Sequence, residues 1–433
     1  MLVDPLLTDG FGHGGLAGTV FPPRSFDFAR MPRVDAVWLT HEHDDHFDLP
    51  SLCHLDRSVP IHVSSRSSVA LRGVLTELGF DVCPVEPGAN VRVGALTLQA
   101  FAADHRATPR TDEWDVLPFL ATDAEGHGAF ASSVDVAMPE ALLDALASMP
   151  ARRWLLCLAN NTTDVRFVRD GAGRIEPTDD TDALASVLAR RWRHAAARAT
   201  APAFTAVTGG GWSHPEDVAW IDRVAFCIDA DRLATSLQDT CETRVSAVRP
   251  GDQIELLGER MRESRASWIR ATDAVRPEPA AVDVPDLVAP ACGRRRLDDW
   301  TALETGLREL ARHLYARPFF TAAHSMSGRP PLCLVLHDAA GDRVYAWTPA
   351  SADFKRTQAD PASFACGLRL WGTDLLGLFE GSLAPSAICY TARVRCWNHE
   401  PERLRVDPHL LWAFAHPLHR PESARRLYAR LTE

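Results

Sequence analysis

The sequence predicts an α/β protein with a large amino-terminal unit and a smaller carboxyl-terminal α+β unit. In the first part of the chain, short apolar runs typical of strands alternate with helical patterns, the order expected of layered α/β domains. The 433 residues, of which 46% are hydrophobic, provide enough apolar material for more than one core. A proline-rich stretch divides the chain, so we expect units at residues 1–270 and 294–433, joined by residues 271–293.

The larger unit contains most of the strand patterns. Apolar strand patterns lie at residues 34–40, 60–63, 91–101, 153–159 and 204–208. Residues 117–123 and 129–135 flank a glycine-containing turn, which predicts a β-hairpin. Leu71, Val74, Leu75 and Leu78 repeat at helical spacing, and Gly79 is placed to end that helix.

Four prolines, Pro277, Pro279, Pro285 and Pro290, make residues 271–293 unsuitable for a helix or a central strand. We expect this segment to be an accessible linker at which proteases separate the two halves. Beyond it, the sequence predicts a helix at residues 303–314, a hairpin from 332–338 and 343–349, a helix at 375–379 and a strand at 388–397.

Charge and cysteine usage narrow the classes of function. The formal net charge of −11 argues against nucleic acid or an anionic membrane surface as the main partner. We find no apolar run of about 18 residues and no basic opening followed by an apolar stretch, so we expect no membrane span and a cytoplasmic protein. The ten cysteines show no CxxC spacing, which favours reduced thiols over a disulfide framework.

The most informative segment follows the predicted strand at residues 34–40 and reads His41-Glu42-His43-Asp44-Asp45-His46. So many polar groups would each need a partner inside an apolar core, whereas imidazoles and carboxylates at this spacing favour a metal site. His41 and His43 lie on one side of an extended segment and can hold one cation. Where the chain turns, Asp45 and His46 can reach a second cation about 3.5–4 Å away, as in two-metal hydrolytic sites.

This string resembles the HxHxDH signature of the metallo-β-lactamase superfamily. Val3-Asp4-Pro5 looks like the strand that precedes the signature in the branch of ascorbate-phosphate lactonase-like and N-acylphosphatidylethanolamine phospholipase-like enzymes. The resemblance covers about the first 260 residues and implies an αββα sandwich, although a shared fold does not fix the substrate.

The resemblance also implies further metal ligands. His105, after the strand pattern at 91–101, stands where the family's next histidine is expected, and Asp135 resembles the carboxylate that bridges both metals. For the last histidine, His214 after the turn Gly209-Gly210-Gly211 is the first candidate and His194 the second. The glycines would let the backbone approach a metal or substrate closely.

Our first functional hypothesis is a dinuclear metal-dependent hydrolase acting on a small-molecule ester, lactone, phosphodiester or amide. In the family that the motif resembles, the residue at the Asp45 position holds the second metal and orients the attacking water. Zinc is the ion that we expect first, and the mixture of histidine and carboxylate ligands also suits iron or manganese.

Two alternatives remain open. The superfamily contains diiron oxygenases, some in natural-product biosynthesis, and here Glu113 or Asp115 could replace the third histidine. The carboxyl-terminal unit, with residues 371–381 followed by a strand, resembles a sterol-carrier-type fold, which would make the protein a metal-containing lipid carrier. The plainer interpretation of this unit is an accessory domain that covers the site or forms a homodimer.

Overall fold

The chain is described here by a computed structural model. It covers all residues except 14, 104–114, 126–127, 151–152, 161–162, 177–198, 227, 240–242, 258–259, 316–328, 349–352, 400, 402–403 and 433. In the part that it covers, no helix has the length and apolar character needed to cross a membrane.

Two sheets dominate the amino-terminal unit. The smaller sheet is entirely parallel, and its strands, in spatial order, are Leu2–Val3, Val37–Trp38, Ile61–Ser64 and Val82–Val85. The larger sheet is mixed, and its strands, in spatial order, are Arg244–Ala247, Phe204–Thr208, Trp154–Ala159, Ala129–Ser132, Phe119–Asp123, Leu96–Ala100 and Asn90–Val93. Its first four strands are parallel to one another.

The two sheets pack face to face, with helices on both outer faces. In strand Val37–Trp38, successive side chains point to opposite sides, as strand geometry requires. Trp38 belongs to the core between the sheets with Phe119, whereas Val37 belongs to the outer core with helix Val69–Glu77. Across the larger sheet, a third core joins it to helices Glu140–Ala147 and Ala230–Gln238. The unit is therefore an αββα sandwich, as the sequence motif implied.

Shorter elements complete the fold. The remaining α-helices are Leu49–Leu52, Trp300–Tyr315, Gly372–Glu380, Ser386–Cys389, His409–Ala415 and Pro421–Thr432, and the 3-10 helices are Phe28–Arg30, Val165–Val168, Glu216–Arg223 and Pro361–Ser363. The minor strand groups are Gly10–Phe11 with Gly18–Val20 and Trp212–Ser213, Arg24–Phe26 with Ile269–Ala271, Asp252–Leu257 with Arg260–Arg265, and Gly173–Ile175 with Val282–Val284.

The carboxyl-terminal unit is built on a five-stranded sheet. Its strands, in spatial order, are Asp353–Thr357, Arg343–Thr348, Leu332–His337, Cys366–Trp371 and Arg395–Asn398. Helix Trp300–Tyr315 covers this sheet, and Leu303, Leu307 and Leu310 are buried in its core. The predicted helix and hairpin of this unit are therefore confirmed.

Two strand predictions were wrong. Residues 91–101 form a hairpin of two strands, Asn90–Val93 and Leu96–Ala100, because Gly94 takes a left-handed conformation (φ 59°) and turns the chain. Residues 388–397 begin in helix Ser386–Cys389 and become a strand only at Arg395. A short apolar run does not distinguish a buried helical turn from a strand.

The proline-rich segment makes specific contacts with both units. Strand Val282–Val284 pairs with Gly173–Ile175 of the amino-terminal unit. Arg395 of the carboxyl-terminal unit is buried, and its guanidinium donates hydrogen bonds to the carbonyls of Phe167 (2.8 Å) and Pro285 (3.1 Å). Residues 282–293 are thus held by both halves, whereas Val275, nearer the start of the segment, is 85% exposed.

The last helix of the chain returns to the amino-terminal unit. Helix Pro421–Thr432 packs on helix Val69–Glu77, and Ala424 and Tyr428 are buried in the same outer core. The Tyr428 ring lies 5.3 Å from the Phe47 ring, measured between centroids. The carboxyl terminus of the chain therefore helps to complete the core of the αββα sandwich.

Candidate metal centre

The candidate ligands lie at one edge of the sandwich, where parallel strands end. Asp4 follows strand Leu2–Val3, the histidine-rich string follows Val37–Trp38, and Asp135 follows Ala129–Ser132. The carboxyl ends of parallel strands meet at the same edge of a sheet, and ligands of α/β proteins bind there. The strand order therefore brings together residues that are far apart in the sequence.

His41, His46 and Asp135 form a compact cluster in which one donor atom of each lies within 4.8 Å of the others. The Nε2 atom of His46 is 2.9 Å from Asp135 Oδ2, and Nε2 of His41 is 3.7 Å from the same oxygen. The rings of His41 and His46 are 4.1 Å apart between centroids. Three of the predicted ligands thus face one point.

His43 and Asp45 flank this cluster. The His43 ring lies 4.4 Å from the His41 ring, and Asp45 Oδ2 is 3.6 Å from His46 Nε2. Both residues line a large cavity that also contains His46 and Asp135. The Asp45 side chain is 38% exposed, so its carboxylate is accessible from this cavity.

Asp4 holds the cluster in place, a role that the sequence reasoning did not assign. Its carboxylate is 2.8 Å from Nδ1 of His46 and accepts hydrogen bonds from the Thr40 amide (2.8 Å) and hydroxyl (2.6 Å). A histidine whose Nδ1–H donates to a carboxylate keeps the Nε2 lone pair available for a metal. Asp4 itself has a left-handed backbone (φ 43°), which aspartate and asparagine tolerate better than most residues.

The other carboxylates of the string serve the structure. Glu42 accepts hydrogen bonds from the amide (2.8 Å) and hydroxyl (2.6 Å) of Ser68, the residue that caps helix Val69–Glu77. Asp44 accepts from the Ser386 hydroxyl, which links the string to the carboxyl-terminal unit. Within the string His41–His46, Asp45 is therefore the one carboxylate beside the ligand cluster.

Burial and the neighbouring charges shift the pKa values of the cluster. Burial lowers the pKa of His41 well below 6.5, so this ring is neutral. Burial also opposes protonation of His46, but Asp135 and Asp45 raise its pKa well above the usual value. Burial raises the pKa of Asp45, whereas Asp135, although buried, has its pKa lowered by His46 and stays ionised. His41 and Asp135 are therefore in the forms that bind metals, whereas His46 would release a proton when a metal binds.

His214 is not part of the cluster. Its Nδ1 atom is 2.6 Å from Asp222 Oδ1, and its Nε2 atom is 3.2 Å from the Tyr390 carbonyl. Both ring nitrogens are thus occupied by protein partners, and the ring packs on Phe226 (5.9 Å between centroids). In this arrangement His214 connects the two units rather than offering a nitrogen to a metal.

Other candidates lie outside the described residues or do not belong to the group formed by His41, His46 and Asp135. His105, His194 and Glu113 fall in ranges that the structure does not describe. Asp115 is buried, and it lies near Tyr428, whose pKa is raised well above its usual value by burial and by carboxylates that include Asp115. Asn160, at the end of strand Trp154–Ala159, also lines the large cavity.

The residues present fit divalent metal ions. Among the described residues, Nε2 of His41 is buried and has no hydrogen-bond partner, an arrangement that costs about 1–3 kcal/mol unless a ligand compensates. The same atom faces Asp135 and His46, so cations bound in this cluster would take lone pairs from these three side chains. Imidazole and carboxylate together suit zinc, iron and manganese.

A cavity of about 1030 Å³ opens beside the cluster. Besides the ligands, its walls contain aromatic residues from several elements, among them Phe21, Phe130 and Trp212. A volume of this size accommodates a small molecule, which apolar walls and a few polar groups would orient.

The carboxyl-terminal unit contributes to the site. Tyr390 and His409 line the large cavity, and the Trp412 ring lies 5.4 Å from the His43 ring. His416 is buried 6.4 Å from His43, between ring centroids. No pattern in the sequence predicts these contacts, because no spacing rule relates residues so distant in the chain.

Comparison with known families agrees with this geometry. Residues 1–155 match the sequence model described as the beta-lactamase superfamily domain. This segment is a beta-lactamase superfamily domain. The metallo-β-lactamase-like α/β fold expected from the motif is therefore confirmed, and the fold implies divalent metal ions. A comparison of the sequence with curated proteins found no match.

Solved structures with a similar fold include three metal-related proteins. CmlA, a diiron beta-hydroxylase from Streptomyces venezuelae, is 17% identical, with a TM-score of 0.33 over 61% of this chain and 50% of that one. Isothiocyanate hydrolase from Delia radicum gut bacteria is 16% identical, with a TM-score of 0.36 over 61% of this chain and 92% of that one. Igni18, a metallo hydrolase from Ignicoccus hospitalis, is 12% identical, with a TM-score of 0.31 over 61% of this chain and 90% of that one. The match thus spans only half the length of CmlA, and no inference about the reaction follows from these likenesses.

Proposed function

We propose that this beta-lactamase superfamily protein is a dinuclear metal-dependent hydrolase of a small molecule. The observation that carries the proposal is the cluster of His41, His46 and Asp135, with a buried, unpartnered His41 Nε2, at the edge of a large cavity. His43 and Asp45 extend this donor set toward the cavity. Two sets of donors sharing Asp135 form the arrangement that two-metal hydrolytic sites use.

Each residue has a role that follows from its contacts. His41 and His43 would hold one ion, and His46 with Asp45 would hold the other, while Asp135 would bridge them. When bound, the two ions supply Lewis acidity that lowers the pKa of water and polarises the bond to be cleaved.

Asp45 is the residue that we propose to handle the proton. Its carboxylate is accessible from the cavity and lies beside His46. Asp45 Oδ2 would accept the proton of the attacking water and deliver it to the leaving group of an ester, lactone, phosphodiester or amide. Asp4 would keep His46 oriented during these steps through its bond to Nδ1.

We further propose zinc as the resident ion, with iron or manganese as alternatives that the same donors accept. The carboxyl-terminal unit would act as an accessory domain, because it places Tyr390, His409 and Trp412 at the cavity or beside His43. A homodimer through this unit and a cytoplasmic location stay predictions.

The test combines metal content with turnover. The purified protein should carry two metal equivalents and hydrolyse at least one of 4-nitrophenyl acetate, dihydrocoumarin and bis(4-nitrophenyl) phosphate in a chelator-sensitive way. Replacing His41 or His43 with alanine should remove most of the metal. Asp45→Asn should keep one equivalent and reduce turnover about 100-fold or more, as the loss of a general base does. Asp35→Asn, an exposed change outside the cavity, serves as the control.

One outcome would replace the hydrolase by the diiron oxygenase alternative. If the protein holds two irons, consumes oxygen when reduced and hydrolyses none of the three substrates, the proposal fails. If His41→Ala and His43→Ala both retain full metal content, the metal site itself is wrongly assigned.

A further inference from the structure

One part of the cavity wall contains no proposed metal ligand. It is formed by Gly209, Gly210 and Gly211, which follow strand Phe204–Thr208, together with Arg276 from the proline-rich segment. The three glycines have positive φ values of 68°, 94° and 124°, conformations that residues with a side chain rarely adopt. The backbone is therefore exposed to the cavity along this turn.

The amide groups of this turn are available to a ligand. Among the residues that the structure describes, no acceptor takes a hydrogen bond from the backbone N–H of Gly209, Gly210 or Gly211. Successive backbone N–H groups in an irregular turn carry partial positive charge and bind anions.

Arg276 supplies a full positive charge at the same place. Its guanidinium lies between two aromatic rings, 4.7 Å from the Phe21 centroid and 4.5 Å from the Phe226 centroid. Its Nη1 atom donates to the Trp212 carbonyl at 3.4 Å. Within the described residues, no carboxylate lies within ion-pair distance of this guanidinium. The rings and the carbonyl thus fix its orientation without neutralising it.

The acidic residues near Arg276 are engaged elsewhere. Burial lowers the pKa of Arg276, and Asp222 and Asp229 act in the opposite direction. Asp222 accepts hydrogen bonds from His214, and Asp229 caps helix Ala230–Gln238 by accepting from the Arg232 amide (2.6 Å). An arginine stays charged in proteins, so Arg276 can still bind an anion.

The fit between Gly211 and Arg276 is close. A Cβ atom at position 211 would lie 2.5 Å from Nη2 of Arg276, which is too near for two unbonded atoms. Glycine at this position therefore lets the guanidinium lie against the turn. The guanidinium and the backbone of the turn are consequently neighbours.

We propose that Arg276 and the turn Gly209–Gly211 bind an oxyanion of the substrate, a carboxylate or a phosphate group. Arginine and backbone N–H groups are the donors that recognise such anions. The other three arginines of the cavity are engaged elsewhere, because Arg249 pairs with Asp231 (3.2 Å), Arg24 donates to two backbone carbonyls, and Arg232 also interacts with another group. The substrates would thus be anionic small molecules, an inference that rests on the proposed hydrolase function.

The experiment measures binding and turnover separately. Calorimetry on the metal-loaded protein would compare glutarate and propyl phosphate with the neutral glutaramide. Turnover would compare the 4-nitrophenyl monoester of glutaric acid with neutral 4-nitrophenyl valerate. Arg276→Gln is the test variant, Arg276→Lys keeps the charge without the planar fork, and Arg270→Gln is the matched control, since Arg270 is exposed and outside the cavity.

We expect the wild-type protein to bind at least one of the two anions more tightly than glutaramide. Arg276→Gln should weaken that binding at least tenfold and raise KM for the anionic ester similarly, with little change for the neutral ester. Arg276→Lys should bind the anion with an affinity between those of the wild type and Arg276→Gln. Arg270→Gln should bind it as tightly as the wild type.

Two results would overturn the anion site: equal binding of the anions and glutaramide by the wild type, or unchanged anion binding in Arg276→Gln. If binding depends on Arg276 but neither ester is hydrolysed, the anion site stands and the hydrolase proposal is the part that fails. The relative affinities for glutarate and propyl phosphate decide whether the site prefers a carboxylate or a phosphate. Thermal unfolding of each variant distinguishes lost binding from lost folding.

Discussion

Replacing Asp4 with asparagine should weaken metal binding without disturbing the fold. The substitution keeps the size of the side chain, and asparagine tolerates the left-handed backbone at this position (φ 43°). The amide oxygen of the new side chain can still accept the hydrogen bond from the Thr40 amide, which is 2.8 Å from Asp4 Oδ1. The change is therefore confined to the second oxygen of the carboxylate.

That second oxygen faces His46 Nδ1 at 2.8 Å. With an amide NH2 in its place, a donor would face Nδ1, so the ring proton would move to Nε2. Nε2 is the atom that lies 2.9 Å from Asp135 and that we assign to the metal. Loss of such an orienting partner costs about 10- to 100-fold in metal affinity, which corresponds to about 1.4–2.7 kcal/mol.

The assay is a competition titration against a chromophoric chelator, with metal equivalents measured by mass spectrometry. We expect Asp4→Asn to lose affinity at the ion held by His46 and to retain the ion held by His41 and His43. Asp35→Asn, which also removes one negative charge but lies on the surface, should behave as the wild type. Two ions bound by Asp4→Asn with affinities within threefold of the wild type would refute the orienting role of Asp4.

Two further predictions concern stability and domain organisation. Burial lowers the pKa of His13 from 6.5 to about 4 in the folded protein. The folded state is therefore at its full stability above pH 6.5, where the ring is neutral, and it loses stability as the pH falls toward 4. The free energy of unfolding should decrease by about 3 kcal/mol over this range. Denaturant unfolding between pH 7 and 4 should therefore show a smaller pH dependence in His13→Asn, and an unchanged dependence would contradict the assignment. A nonspecific protease should cut within residues 272–275, which are exposed, but the fragments should co-elute in gel filtration because Arg395 and residues 282–293 join the units. Fragments that separate would show that these contacts are weak.

The sequence by itself determined the class of fold and the core of the site. The alternation of strand and helix patterns predicted the layers, because side chains on a half-buried strand or helix must repeat with the period of that element. The string from His41 to His46 predicted a metal centre, because its ligands are close in the chain and need no tertiary information. Asp135 could be added only through the resemblance to a family.

Tertiary structure decided which polar groups of the string face the site. Glu42 and Asp44 have the same chemistry as Asp45, but hydrogen bonds to Ser68 and Ser386 turn them toward other parts of the protein. No local pattern encodes these partners, since Ser68 precedes helix Val69–Glu77 and Ser386 belongs to the carboxyl-terminal unit.

The role of His214 was likewise decided by packing. The sequence placed it correctly after a strand and a glycine turn, but Asp222 and the Tyr390 carbonyl take its two ring nitrogens. The same packing brings Arg276 against Gly211, more than sixty residues away in the chain. Contacts between distant segments depend on how both units fold together, and the periodicity of a single segment contains no information about them.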